Sequence, residues 1–347
     1  MMTIGGISRT CIYVAAARAI GAREPDPGVR NPDGLAEPLL GDTSRFGVEH
    51  PVVLALRKPY DEAMEDIEVV NIVRMMMVRT RFIDEALHRA VAGGATQVVI
   101  LGAGFDTHAY RCRALLVGIP VFEVDRPATQ ALKRGRVLAA IGEVPENVTY
   151  VPIDFQHDDL GGVLARHGHD RTRPTFFIME GVTMYVPEDD VRQTLQFIGQ
   201  HPLGSGVVFD FVPKGMIDMI GAIDMNKVPA SARPFLERFL DLIKDEPWVF
   251  GIPLGTVNEF LRACHLDVRE LLAIGGPDSI ARYLTKADGT QVGGKALADA
   301  MTRMAAQAAR DAESIPAEHR MTPERMREQQ RQMAYQLVEA VVRTPAD

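Results

Sequence analysis

VVILGAGFDTHAYR, Val98–Arg111, is the stretch that decides the fold. Four apolar residues, Val98–Leu101, run into a turn holding Gly102 and Gly104, and an acid follows at Asp106. A strand that ends in a glycine-rich turn has the form of a nucleotide-holding loop. The question is which ligand the turn holds.

Further apolar runs of strand length follow: Val121–Val124, Thr149–Ile153, Thr175–Met179 and Val207–Phe211. Helical patterns lie between several of them. One is Gln130–Ile141. Another is Pro187–Gln200, with an acidic first turn and Val191, Leu195 and Ile198 on one face. Short apolar strands alternating with helices predict a parallel sheet covered on both faces.

On the N-terminal side, Thr10–Ile20 reads as a short amphipathic helix, since Arg18 interrupts the apolar core a signal peptide needs. Residues 21–60, rich in Pro, Gly and Asp, read as irregular structure wrapping a core, and 61–92 as helix stopped by Gly93 and Gly94. On the C-terminal side, 213–250 carries Met216, Met219, Met225 and the only tryptophan, Trp248. It reads as a helical cap inserted near the carboxyl ends of the strands, where α/β sheets bind ligands. Thr256–Ala263 predicts a helix and Leu266–Leu272 a late strand. The tail is read as helical, with Pro323 opening a last helix whose Met326, Met333, Leu337 and Val341 form one stripe. That stripe would dock on the chain itself or on a second subunit, giving a homodimer. The expected units are therefore a helical wrap (1–92), an α/β core (93–290, with its cap at about 213–250) and a helical tail (291–347).

The 347 residues carry a formal charge of −8 and no lysine- or arginine-rich block, which argues against a nucleic-acid binder. No window reaches the roughly 20 apolar residues of a membrane span. Three scattered cysteines, Cys11, Cys112 and Cys264, fit neither a disulfide framework nor a metal clip, and read as reduced thiols of a cytoplasmic protein. His157, Asp158, His167, His169 and Asp170 lack zinc-site spacing and read as mostly solvated loop residues, so no metal is expected.

The turn lacks the third glycine of a dinucleotide loop and the lysine of a phosphate loop. S-adenosylmethionine (SAM) carries no phosphate and needs only close backbone approach, which Gly102 and Gly104 permit. N–H groups opening the next helix would then face its carboxylate. Asp125 ends the second strand about 20 residues on, where Rossmann-type folds place the acid that meets ribose hydroxyls. Asp154 ends the third, able to accept from an adenine amino group while the backbone of Phe155 meets a ring nitrogen.

VVILGAGFDTHAYR, VFEVDRP, VPIDF and MEGVTMYVP, in this order, closely resemble the leucine carboxyl methyltransferase family, in its bacterial branch of SAM-dependent O-methyltransferases. VRTRFIDEAL (78–87) is similar to the helix that family places before its loop. The resemblance implies an α/β, Rossmann-like, seven-stranded class I methyltransferase sheet. It implies that Gly102 and Gly104 lie along the methionine part of SAM, that Asp125 holds the ribose, and that Asp154 and Phe155 flank the adenine. Glu180 would sit near the methionine amino group, Tyr185 near the transferred methyl, and Arg81 or else Arg79 at the SAM carboxylate. Glu180 and Tyr185 are the candidate catalytic residues, with His108 a lesser candidate base.

The expected reaction is in-line methyl transfer to the carboxylate of a small, apolar molecule. O-methylation of a phenol or alcohol of a polyketide-like metabolite is the alternative. A dehydrogenase with a variant loop, and a non-catalytic SAM-binding module, are the remaining readings.

Overall fold

The computed structural model describes residues 8–43, 50–155, 157–226, 228, 233–314 and 334–344, with backbone only at 304, 305 and 307–314. Seven strands form one sheet: β1 (Gln97–Leu101), β2 (Val121–Asp125), β3 (Val148–Pro152), β4 (Thr175–Met179), β5 (Gly206–Phe211), β6 (Leu266–Ala273) and β7 (Gln336–Val342). Their order is β3-β2-β1-β4-β5-β7-β6. The first five are parallel, and β7 runs antiparallel between β5 and β6. This is the seven-stranded class I methyltransferase arrangement that the sequence led us to expect.

The central strands are buried along their whole length, which is why they read as unbroken apolar runs. One face of the sheet packs on the helices Arg9–Gly21 and Ile67–Ala92. The other packs on Glu188–Gly199 and Val257–Arg262. The helix Ile67–Ala92 starts where Asp66 caps the Glu68 N–H at 2.8 Å and stops at Gly93.

Strand order reverses between β1 and β4, the neighbours at the centre. At such a switch point the loops leave the sheet in opposite directions and open a crevice at the carboxyl ends. The glycine turn leaves β1 there, and the Glu180–Tyr185 segment leaves β4 there.

Several expectations are corrected. The Arg9–Gly21 helix is not amphipathic: Ala15–Gly21 are all buried, Arg18 included. Residues 36–40 and 51–55 form short helices inside the segment read as irregular, and the 61–92 segment read as one helix is split into 60–63 and 67–92. The helix after the glycine turn is one turn only, His108–Arg111. The tail is helical over Gly294–Ser314, but 336–342 is a strand. Leu337 is buried inside the sheet, so the stripe drawn through it and Val341 is no dimer face. Its other members, Met326 and Met333, lie outside the described residues.

Candidate active site

A cavity of about 1120 Å³ opens at the switch point. Its walls include Gly102, Gly104, Asp125, Asp154, Phe155, Glu180, Tyr185 and Arg79, so eight of the nine sequence-derived site residues meet in one space. Arg81 is the exception. Its guanidinium turns to the Arg30 carbonyl at 3.2 Å.

The glycine turn is shaped for close approach. Gly102 has φ +65°, and a Cβ there would lie 2.5 Å from the Val182 side chain. Gly104 has φ +32°. Asp125 ties this turn to β2, its carboxylate accepting the Gly104 N–H at 2.6 Å and its own neighbour Arg126 N–H at 2.6 Å. Lys133, fully buried, reinforces the turn from below by donating to the Ala103 carbonyl at 3.0 Å and to Glu123 at 2.8 Å. Neither Lys133 nor Glu123 was singled out in the sequence. Asp154 and Phe155 lie at the exposed mouth, and Asp154 pairs with His157 at 2.8 Å.

Arginines dominate the interior. Arg79 bonds Glu180 at 2.7 Å and Asp210 at 3.0 Å, all three buried. Burial disfavours the Arg79 charge, but the two carboxylates outweigh it and hold the guanidinium above its usual range. Burial pushes Asp210 up, against the pull of Arg79. Arg18, from the N-terminal helix, donates to the Phe105 carbonyl at 2.6 Å and faces Asp33 at 3.4 Å and Glu180 at 3.9 Å. Sequence reading treated Arg18 only as an interruption. An arginine in an otherwise apolar helix was itself the signal, because a charge there must find a partner.

His108 is not a free base. Its Nδ1 lies 2.7 Å from Asp106, and its Nε2 lies 3.2 Å from Asp84. Burial opposes its charge, yet Asp106 pushes it up to about 9. Asp84, despite burial, is drawn down to about 2 by His108 and Arg111. A histidine raised by folding stabilises below its ordinary value near 6.5 and loses that contribution as pH climbs through about 9. The stability advantage of the wild type over His108→Gln is therefore expected to be full at pH 6 and to shrink between pH 7 and 10. Urea midpoints across that range check it; a gap that widens with pH would mean the imidazole is neutral.

Asp106, His108 and Glu180 also bring ligand atoms within 4.8 Å of one another. Asp106 and His108 hold each other and Glu180 holds Arg79, so a metal ion would have to displace cations already in place. His169, expected in a solvated loop, is buried edge-on against Phe122 at 5.6 Å, and burial lowers it to about 4.

The cavity wall also includes Ile72, Met75, Phe239, Leu242 and Trp248, so part of its lining is apolar. The inserted segment supplies much of it through the helices Lys214–Gly221 and Arg233–Ile243. Backbone N–H groups of Val249 (2.8 Å) and Phe250 (3.4 Å) reach the Met184 carbonyl, fixing the insertion to the turn that carries Tyr185.

The residues fit SAM. A backbone cradle that a Cβ would fill, acids at the ends of β2 and β3, and buried arginines beside an acid match a ligand with hydroxyls, an amine and a carboxylate. The leucine carboxyl methyltransferase family model matches residues 11–199. A Streptomyces coelicolor protein, provisionally named a SAM-dependent methyltransferase, is 32% identical over 79% of this chain and 90% of its own length. A Mycolicibacterium vanbaalenii protein with the same provisional name is 34% identical over 68% of this chain and 75% of its own.

Proposed function

We propose that this chain, which belongs to the leucine carboxyl methyltransferase family and is a SAM-dependent methyltransferase, methylates the carboxylate of a small apolar acid. SAM supplies a methyl already activated on a sulfonium. The oxygen of the acceptor forms the new bond to that methyl carbon as the carbon–sulfur bond breaks, and the electron pair stays on sulfur. No proton has to move when the acceptor is a carboxylate.

The chain's task is then alignment, which contributes on the order of 7–11 kcal/mol where the bound geometry is near attack. Asp125 would take the ribose, Asp154 and Phe155 the adenine, and Glu180 the amine. Arg79 and Arg18 would face the amino-acid carboxylate. Tyr185, its phenol raised by burial, stays protonated at the acceptor end.

One observation carries the carboxylate reading. Apolar side chains such as Phe239, Leu242 and Trp248 line the cavity, and the acids near them are already engaged: Glu180 by Arg79, Asp245 by Arg9 at 3.9 Å, Glu246 by the hydroxyls of Ser8 and of Thr10 (2.9 Å). A nucleophile that arrives ionised needs no base. A hydroxyl acceptor is the second reading, favoured by Glu246, which has hydroxyls and no cation for partners among the described residues. Labelled SAM and a panel of carboxylic acids and phenols test the choice. Product hydrolysed by mild base is an ester and supports the proposal; base-stable product is an ether and overturns it.

Asp125→Ala is expected to weaken binding of SAM and of its demethylated product more than tenfold, against none for NAD, by calorimetric titration. An unchanged dissociation constant would remove Asp125 from the ribose role. Among the described residues no helix is long and apolar enough to cross a membrane. The three free thiols support a reducing, cytoplasmic setting.

A further inference from the structure

The indole of Trp248, the chain's only tryptophan, lines the cavity. Its Nε1–H is buried and makes no hydrogen bond of normal length among the described residues; the polar group it faces is the Tyr185 hydroxyl. A buried donor left unsatisfied is costly, and native structures rarely keep one without reason. The ring is held by more than chance contact. Phe239 meets it edge-on at 5.4 Å, Tyr335 lies 6.5 Å away, and the next residue, Val249, is bonded to the Met184 carbonyl beside Tyr185. The same indole and the Thr10 hydroxyl face the Tyr185 phenol, and the charge of Arg79 reaches it. Glu246 lies on this side as well, but its carboxylate is turned onto Ser8 and Thr10.

We propose that the Trp248 N–H, together with the Tyr185 hydroxyl, receives one oxygen of the acceptor's carboxylate and so selects acids for this cavity. This rests on the carboxylate reading above. Two neutral donors on one oxygen would fix the plane of the group and leave a lone pair of the other oxygen free to meet the methyl. The aromatic and aliphatic walls would take the acceptor's apolar body. Trp248 is thus a positioning and specificity residue contributed by the segment between β5 and β6 rather than by the turns that leave the parallel strands.

The test uses the full chain saturated with demethylated SAM, and three probes of equal length: octanoate, octanol and octylamine. Trp248 emission reports binding directly. Octanoate is expected to shift it, and to bind at least tenfold more tightly than the other two. By calorimetry, Trp248→Phe is expected to bind octanoate at least tenfold more weakly with its affinity for demethylated SAM unchanged, which also shows the variant is folded. Trp248→His, which restores a ring N–H, is expected to recover part of the loss. Equal binding of the three probes, no binding of any, or unchanged octanoate affinity in Trp248→Phe overturns the proposal. A loss of demethylated SAM affinity in Trp248→Phe overturns it too, by placing the indole on the cofactor. Base-stable products from the wild type would sink the carboxylate reading independently, whatever the indole binds.

Discussion

Arg79→Met is expected to cost about 3–5 kcal/mol of stability, the range for breaking a buried ion pair by removing one partner. The side chain is held between Glu180 and Asp210, and removing its charge leaves two carboxylates facing each other out of water. Asp210 is tied further to the Gly181 N–H at 2.6 Å and the Tyr335 hydroxyl at 2.9 Å, so the disturbance would spread to the turn after β4 and to the segment before β7. Urea unfolding measures the effect. Arg79→Lys should recover only part of it, because one ammonium cannot reproduce a forked guanidinium. A midpoint unchanged in Arg79→Met would mean that Asp210 is protonated in the wild type.

Gly102→Ala is expected to weaken binding of demethylated SAM about a hundredfold while the sheet survives. Left-handed backbone at φ +65° costs an L-residue roughly 1–2 kcal/mol. The new Cβ would also lie 2.5 Å from Val182, so the turn must move away from the position that suits the ligand. Calorimetry gives the dissociation constant, and far-ultraviolet circular dichroism shows whether the fold holds. Binding within threefold of the wild type would mean the turn is architecture and the ligand lies elsewhere. Gly104→Ala should be milder, since its Cβ would lie 3.1 Å from the Cys11 sulfur and 3.7 Å from the Gly102 carbonyl oxygen, with no contact as close as 2.5 Å.

What could be read from the sequence follows from burial. β1, β4 and β5 are covered on both faces, so they write themselves as largely apolar runs, and residues at the carboxyl ends of β1, β2, β3 and β4 are the ones that meet in the cavity. β7 hid for the opposite reason. Glu339 is buried there, yet it interrupts the apolar pattern, because Arg89 reaches across from the helix Ile67–Ala92 to hold it at 2.5 Å. A carboxylate matched by a partner 250 positions away cannot be recognised locally.

The choice between Arg79 and Arg81 was legible but left open. Two residues apart on a helix point about 200° away from each other, so only one can face inward. Arg79 has Ile72, Met75, Met76, Phe82, Ile83 and Ala86 three, four and seven positions off, all apolar, whereas Asp84, Glu85 and His88 follow Arg81 at those spacings. Trp248 was visible only as a lone aromatic, since its unsatisfied N–H exists only once the insertion folds over the sheet.

The placement of β7 sets the order in which the molecule can be finished. β6 does not pair with β5 and joins the sheet only through β7. As the ribosome delivers the chain from its amino end, strands β1–β5 can assemble while β6 waits, with the β5 edge open, until residues 336–342 have cleared the exit tunnel. During that interval two unpaired strand edges are exposed to other nascent chains, and a holding chaperone would find them there.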